Sequence, residues 1–273
     1  IAATVNQDIW ETFEQIRLED EEEDENRDSD FQNLDILREK AAAGDAQAMT
    51  ELGLKLLMGD GVAPDMEEGE HWLSQAVEQG NAKAMLELGW RFIDGVDVGL
   101  DLVRGEQLLR RGIEQNDVEC MYELGWRILD GHLPNGDRLE GEQLLRKAKE
   151  LGSIEAETEL GWCLINGRTE VPNPVEGETL LRRASEQGHP RAMYLLGWCL
   201  MEGKNGISLN ETEAEQWLLK AVEMGYSDAM VYLGWRYLEG EGVKRDPEKG
   251  ELFLMQAVEL GNPNAMSELG CRL

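Results

Sequence analysis

The chain has 273 residues and carries 56 acids against 26 bases, a formal net charge of −30. A field of that sign repels nucleic acid and anionic membrane, and no apolar run approaches the length of a membrane span. Two uses of the charge remain: attraction of a basic protein partner, or solubility.

Residues 6–18 come first in the chain. Ile9, Trp10, Phe13 and Ile16 fall near helical spacing with Glu11, Glu14 and Gln15 between them, which predicts an amphipathic helix. Residues 1–18 are read as an N-terminal capping segment. The run from Glu19 to Asp30 has Arg27 as its single base, so residues 19–32 are read as a solvated acidic linker, or as a tail for a basic partner. Residues 1–44 hold 14 of the acids and 4 of the bases, so most of the acidity lies elsewhere in the chain.

From Asn33 to the end the chain repeats. Leu-Gly-Trp recurs at Leu88-Gly89-Trp90, Leu124-Gly125-Trp126, Leu160-Gly161-Trp162, Leu196-Gly197-Trp198 and Leu233-Gly234-Trp235, in steps of 36 residues with one of 37. Self-similarity at this period is the signature of a solenoid, which grows module by module and has no single core. The array opens in mid-module. Ile36-Leu37-Arg38 and Ala41 to Gly44 match the second half of later modules, and the segment around Trp10 can fill the missing first half as a cap.

Each full module predicts two short helices. In the first, Asn81 is an N-cap, the helix runs Ala82 to Asp94 and Gly95 closes it. The second starts at Asp65, Asp101, Asp137, Asn173, Asn210 or Asp246, carries Gly-Glu-x-x-Leu, and stops at residues such as Gly80, Asn116, Gly152 and Gly188. The fold predicted is all-α, a right-handed superhelical αα-hairpin solenoid of about six 36-residue repeats spanning residues 33–273. The chain stops at Leu273, inside the first helix of a further module.

Cys120, Cys163, Cys199 and Cys271 form no close pair. Cys163 and Cys199 hold one position in neighbouring modules, and helix axes roughly 8–10 Å apart put them beyond disulfide reach. Free thiols imply a reducing, cytoplasmic setting; because the chain begins at Ile1 rather than methionine, a removed leader stays open.

The recurrence of Gly80, Ala84, Leu88-Gly89, Phe92, Gly95, Asp101 and Leu109 resembles the Sel-one-like repeats, a subfamily of tetratricopeptide-type helical repeats. The resemblance covers the chain from about Asn33 to its end. It implies adaptors that assemble other proteins, several of them in bacterial host interaction, signalling or complex assembly. Some secreted members carry a disulfide in each repeat, and the single cysteines here depart from that branch.

On a helical wheel Ala84, Leu88 and Phe92 form one stripe, while Trp90 falls on the other side near Lys83, Leu86 and Glu87. In tetratricopeptide-like solenoids the first helices line the concave surface. The resemblance therefore implies that Trp90, Trp126, Trp162, Trp198 and Trp235 face a groove. Arg91, Arg127 and Arg236 follow three of these tryptophans, and Cys163 and Cys199 follow two. The tryptophans either pack against neighbouring modules or anchor a protein surface, since Trp and Arg dominate interface hot spots. Glu87, Glu123 and Glu159 recur at one position, as partners of these arginines, as contacts for a basic ligand, or as a solvated face with local ion pairs.

No chemistry stands out beside this surface. His71, His132 and His189 lie in three different modules without metal-ligand spacing, and no phosphate loop, nucleophile elbow or Cys-x-x-Cys pair is present. No catalytic, cofactor-binding or metal-ligating residue is assigned. The expectation is a non-catalytic adaptor that binds a protein or peptide on the concave face. The alternatives are an acidic immunity protein neutralising a basic, nuclease-like toxin, and a structural protein that self-assembles through its terminal module.

Overall fold

The computed structural model describes residues 33–203 and 205–270, and the first helix and acidic linker expected over 1–32 lie outside them, as do Cys271 and Arg272. Two compact units are distinguished, one ending at Cys120 and the other beginning at Met121. The described part of the first unit holds a helix α1 over 33–42, then α2 (Ala46–Met58), α3 (Met66–Glu78), α4 (Ala82–Asp94) and α5 (Leu102–Glu114). The boundary falls within α6 (Val118–Asp130). The second unit continues with α7 (Arg138–Glu150), α8 (Ile154–Ile165), α9 (Pro174–Glu186), α10 (Pro190–Glu202), α11 (Glu211–Glu223), α12 (Ser227–Glu239), α13 (Pro247–Glu259) and α14 (Pro263–Gly270). No strand occurs among the described residues. Each unit is a stack of αα-hairpins, as the repeat predicts, and α1 is a second helix without a described first helix before it.

The helix limits follow from capping chemistry. All six expected second-helix caps accept a backbone N–H: Asp65 from Glu68, Asp101 from Arg104, Asp137 from Leu139, Asn173 from Glu176, Asn210 from Glu213 and Asp246 from Lys249. The second helices end in left-handed residues, Gly80 at φ 84°, Gly152 at 98° and Gly188 at 88°. Asn116 takes the same place at φ 62°, the conformation asparagine tolerates best among side-chain-bearing residues.

Within each hairpin the core is set by Leu and Ala at fixed positions. Leu52, Leu124, Leu160, Leu196 and Leu233 of the first helices, and Leu73, Leu109, Leu145, Leu181, Leu218 and Leu254 of the second, are sealed from solvent. The two helices cross glycine on glycine. A Cβ on Gly177 would lie 2.6 Å from the Gly161 carbonyl oxygen, and one on Gly105 would lie 2.6 Å from that of Gly89. The glycine of each Gly-Glu pair thus permits a close crossing. In α11 Ala214 replaces it and the hairpin still closes.

Successive second helices are joined by charge. Arg146 of α7 donates to both carboxylate oxygens of Glu176 on α9, at 2.6 and 3.1 Å. Arg182 of α9 repeats this with Glu213 on α11, and Arg38 of α1 with Glu68 on α3. Where the acceptor position holds a base, the donor position is neutral. Arg104 faces Ser74, at 3.3 Å, and pairs with Glu70. The base at the corresponding place on α13, Lys249, follows a helix with Leu219 at the donor place, and it turns to the Tyr237 hydroxyl at 2.7 Å.

Candidate protein-binding surface

The first helices place their Glu, Trp and Arg residues at i, i+3 and i+4, where side chains meet on one face. In the first unit, the Trp90 indole N–H donates to Glu87 at 3.1 Å. Arg91 bonds the same carboxylate and donates to the Glu87 carbonyl oxygen at 3.0 Å. Its guanidinium carbon lies 4.1 Å from the centroid of the Trp90 ring, a cation–π contact. In the second unit Trp126 donates to Glu123 at 3.0 Å, and Arg127 bonds Glu123 and covers Trp126 at 4.4 Å. Both tryptophans stay half-buried, with their rotamers fixed from two sides.

Arg91 and Arg127 differ from the expectation of open polar contacts, since each is only 3% exposed. The helical turn brings Glu87 and Glu123 within reach, and stacking on the indole buries the rest of each side chain. Their direct role is to hold the tryptophans. Glu87 and Glu123 pair with Arg91 and Arg127, the arginines one turn on, rather than forming a solvated face.

The next modules lack this arginine and solve the charge differently. Cys163 stands in its place on α8, and Glu159, 3% exposed, takes its cation from the following module: Arg191 Nη1 lies 2.6 Å away. On α10 both positions are uncharged, Leu195 and Cys199. On α12 Arg236 has Tyr232 where the glutamate would be, and it pairs with Glu202 of the preceding module. Cys120, Cys163 and Cys199 are buried thiols outside any disulfide, and burial pushes the Cys199 thiol up to about 12.

The aromatic row in the second unit is therefore not uniform. Trp126 meets His132 edge-on at 5.2 Å, and Trp162 meets Trp198 edge-on at 5.5 Å across two modules. Packing between modules and partial exposure coexist at these rings. Tyrosines extend the surface. Tyr194 lies 5.5 Å from Tyr226 and 6.2 Å from Tyr232, and burial, helped by nearby Asp228 and Tyr226, raises its phenol to about 12. A groove of about 410 Å³ opens between Tyr194, Asp228, Val231, Tyr232, Trp235 and Asn264. The sequence signal for it was present but weak, because Tyr194 and Tyr232 stand at two different first-helix positions, each of which carries other residue types in most modules.

The histidines serve local structure. His189 caps α10 by accepting from Ala192 N–H at 3.3 Å, and burial lowers its pKa. His71 contacts Gln75 at 2.9 Å, and His132 lies 3.7 Å from Asp130. Among the described residues no group of three or more His, Cys, Asp or Glu is placed to hold a metal ion, and no helix is long and apolar enough to cross a membrane.

These features define an αα-hairpin solenoid whose first helices display half-buried aromatic rings. The family model of the Sel1 repeat matches six times, over residues 46–81, 82–117, 118–153, 154–189, 190–226 and 227–262. The chain belongs to the Sel1 repeat family, whose members are typically protein-interaction scaffolds. It is similar to c5321, a protective antigen present in uropathogenic Escherichia coli strains that displays an SLR fold, with 26% identity and a TM-score of 0.64. The match covers 87% of this chain and 50% of that one, so the chain spans half the length of the E. coli protein. A Sel1 repeat protein from Oxalobacter formigenes is 25% identical with a TM-score of 0.68, over 78% of this chain and 85% of that one. The fold is shared with immunity protein Pa5087 from Pseudomonas aeruginosa, 22% identical with a TM-score of 0.57 over 81% and 83% of the two chains. No curated protein matches.

Proposed function

We propose that the chain is a non-catalytic adaptor that binds a partner protein on the face formed by its first helices. The observation that carries this reading is the set of half-buried tryptophans at one repeat position, which stay partly exposed while neighbouring side chains hold them. Trp126, Trp162, Trp198 and Trp235 serve as anchors in the second unit and Trp90 in the first. Arg91, Arg127 and Arg236, with Glu87, Glu123 and Glu159, fix the rings and the charge around them. Preorganised aromatic rings lose little entropy on binding, which is why they make strong anchors.

A second reading is favoured by the net charge of −30 and by the fold shared with Pseudomonas immunity proteins. Here the partner is a basic protein that the acidic array neutralises. Such binding forms fast at low salt and weakens as salt rises.

The test is partner capture from lysate of the source cells, followed by affinity measurement with the Trp126→Ala/Trp162→Ala variant. The adaptor reading expects a loss of about 2 kcal/mol or more per anchor with the helical circular dichroism unchanged. Binding that falls only in proportion to unfolding would sink it. Release of the partner by modest salt, indifferent to the tryptophans, would favour the neutralising reading instead.

A further inference from the structure

The groove framed by α10, α12 and α14 has a chemistry of its own. Its walls are the rings of Tyr194, Tyr232 and Trp235, and its polar groups are Asp228 and Asn264. The walls are braced from behind. Tyr226 packs on Tyr194 at 5.5 Å, and the Tyr232 hydroxyl donates to Glu202 and accepts from Arg236, both at 2.8 Å. Arg236 lies against Tyr232 and Trp235, 5.0 and 5.3 Å from their centroids, but it does not line the groove, and its charge is met by Glu202.

Asp228 is answered differently. Its carboxylate accepts from the Asn262 amide at 2.9 Å, a neutral donor, and among the described residues no cation pairs with it. Three aromatic rings and a carboxylate without a cation therefore surround one opening. The faces of Tyr and Trp rings attract cations, and a carboxylate accepts two parallel N–H bonds from a guanidinium. A neutral apolar side chain in this place would strip water from Asp228 without replacing its hydrogen bonds, and an acidic one would be repelled.

We propose that this groove receives a basic side chain, arginine or lysine, of the partner protein. The cation lies against Tyr194, Tyr232 and Trp235 and pairs with Asp228, while the Asn264 side chain offers a further polar contact. The inference rests on the first-helix face being the binding surface and specifies the chemistry taken at one place on it. The charge of −30 supplies the long-range attraction that brings a basic group there.

The test uses the full chain and two probes of equal shape, N-acetyl-arginine amide and its uncharged isostere N-acetyl-citrulline amide. The indole ¹H–¹⁵N resonance of Trp235 is followed by NMR at constant ionic strength. A saturable shift with the arginine probe, weaker by about fivefold or more with citrulline, is expected. The arginine response is expected to disappear in Asp228→Asn and in Tyr194→Ala, each checked for intact helix content. Trp126→Ala, three modules away, is expected to keep it, so failure of the groove is read separately from failure of the anchoring tryptophans. Equal response to citrulline, no response to arginine, or an undiminished response in Asp228→Asn would overturn the proposal.

Discussion

Arg191 reaches from α10 to Glu159 on α8, placing Nη1 2.6 Å from a carboxylate on a residue only 3% exposed. The pair compensates for Cys163, which occupies the place where other modules carry the matching arginine. Removing the cation alone leaves a buried charge unpaired. Arg191→Met is expected to cost about 2 kcal/mol, below the full penalty for a buried pair because the Arg191 side chain is 38% exposed. Adding Glu159→Leu should recover most of that loss, since Leu195 and Cys199 fill the equivalent places one module on. Urea denaturation of the single and double variants measures both steps.

The hairpin crossings give a second prediction. Gly177→Ala gains about 1 kcal/mol of helix propensity. Its Cβ would also lie 2.6 Å from the Gly161 carbonyl oxygen and 2.7 Å from Ile165 Cγ1. A backbone oxygen cannot rotate aside, and overpacking of this kind costs about 1–3 kcal/mol. The clash should win, lowering the melting temperature by a few degrees, about 2–4 °C for each kcal/mol. Ala214→Gly, where the chain already tolerates the methyl group, should destabilise through helix propensity alone.

The bridges between second helices predict a pH dependence. The hydrogen bond from Arg146 holds the Glu176 carboxyl below the usual carboxylate range, and Arg182 does the same for Glu213. A depressed folded pKa contributes stability that is fully present above the unfolded value, about 4.3, and is lost as pH falls through the folded value. The difference in urea midpoint between wild type and Glu176→Gln should be constant above about pH 5 and shrink towards pH 3. The corresponding difference in unfolding free energy should stay below about 1 kcal/mol, because both partners are partly solvated. A difference that grows on acidification would reject this account.

Thiol chemistry supplies a fourth. Cys120, Cys163 and Cys199 are buried, and burial, with Glu178 adding to it, pushes Cys199 up to about 12. The thiolate is the reactive form, so burial denies access to all three, and at Cys163 and Cys199 the raised pKa also opposes modification. In a Cys271→Ser background, an aromatic disulfide reagent at neutral pH should find these three thiols unreactive in the native protein. All three should react at once in denaturant. A fast native phase would show that a module opens readily.

The repeat made much of this molecule legible. Asp65, Asp101, Asp137, Asn173, Asn210 and Asp246 announce their helices through chemistry confined to four residues, so each cap was readable without neighbours. The glycines of the crossings were readable because every module needs the same close approach. What the repeat could not reveal lies where modules differ. Arg191 sits at a position occupied elsewhere by Lys83, Glu119, Glu155 and Asp228, so no pattern marks it as the partner of Glu159. Arg91 and Arg127 looked like open contacts because a helical wheel shows direction but not that a long side chain can fold back over its neighbour. The groove at Asp228 joins residues of three helices whose positions, Trp235 apart, vary from module to module, and only the packed chain brings them together.

The alternation of Arg146–Glu176 and Arg182–Glu213 with Leu219 and Lys249 bears on how such a chain can shorten. Excising residues 154–189 would bring Arg146 opposite Glu213, and the new joint would find opposite charges. Excising residues 190–226 would set Arg182 opposite Lys249, two cations across the same joint. Removing one module or its neighbour therefore leaves very different seams, and each module carries, in two side chains, the address of the neighbour it accepts.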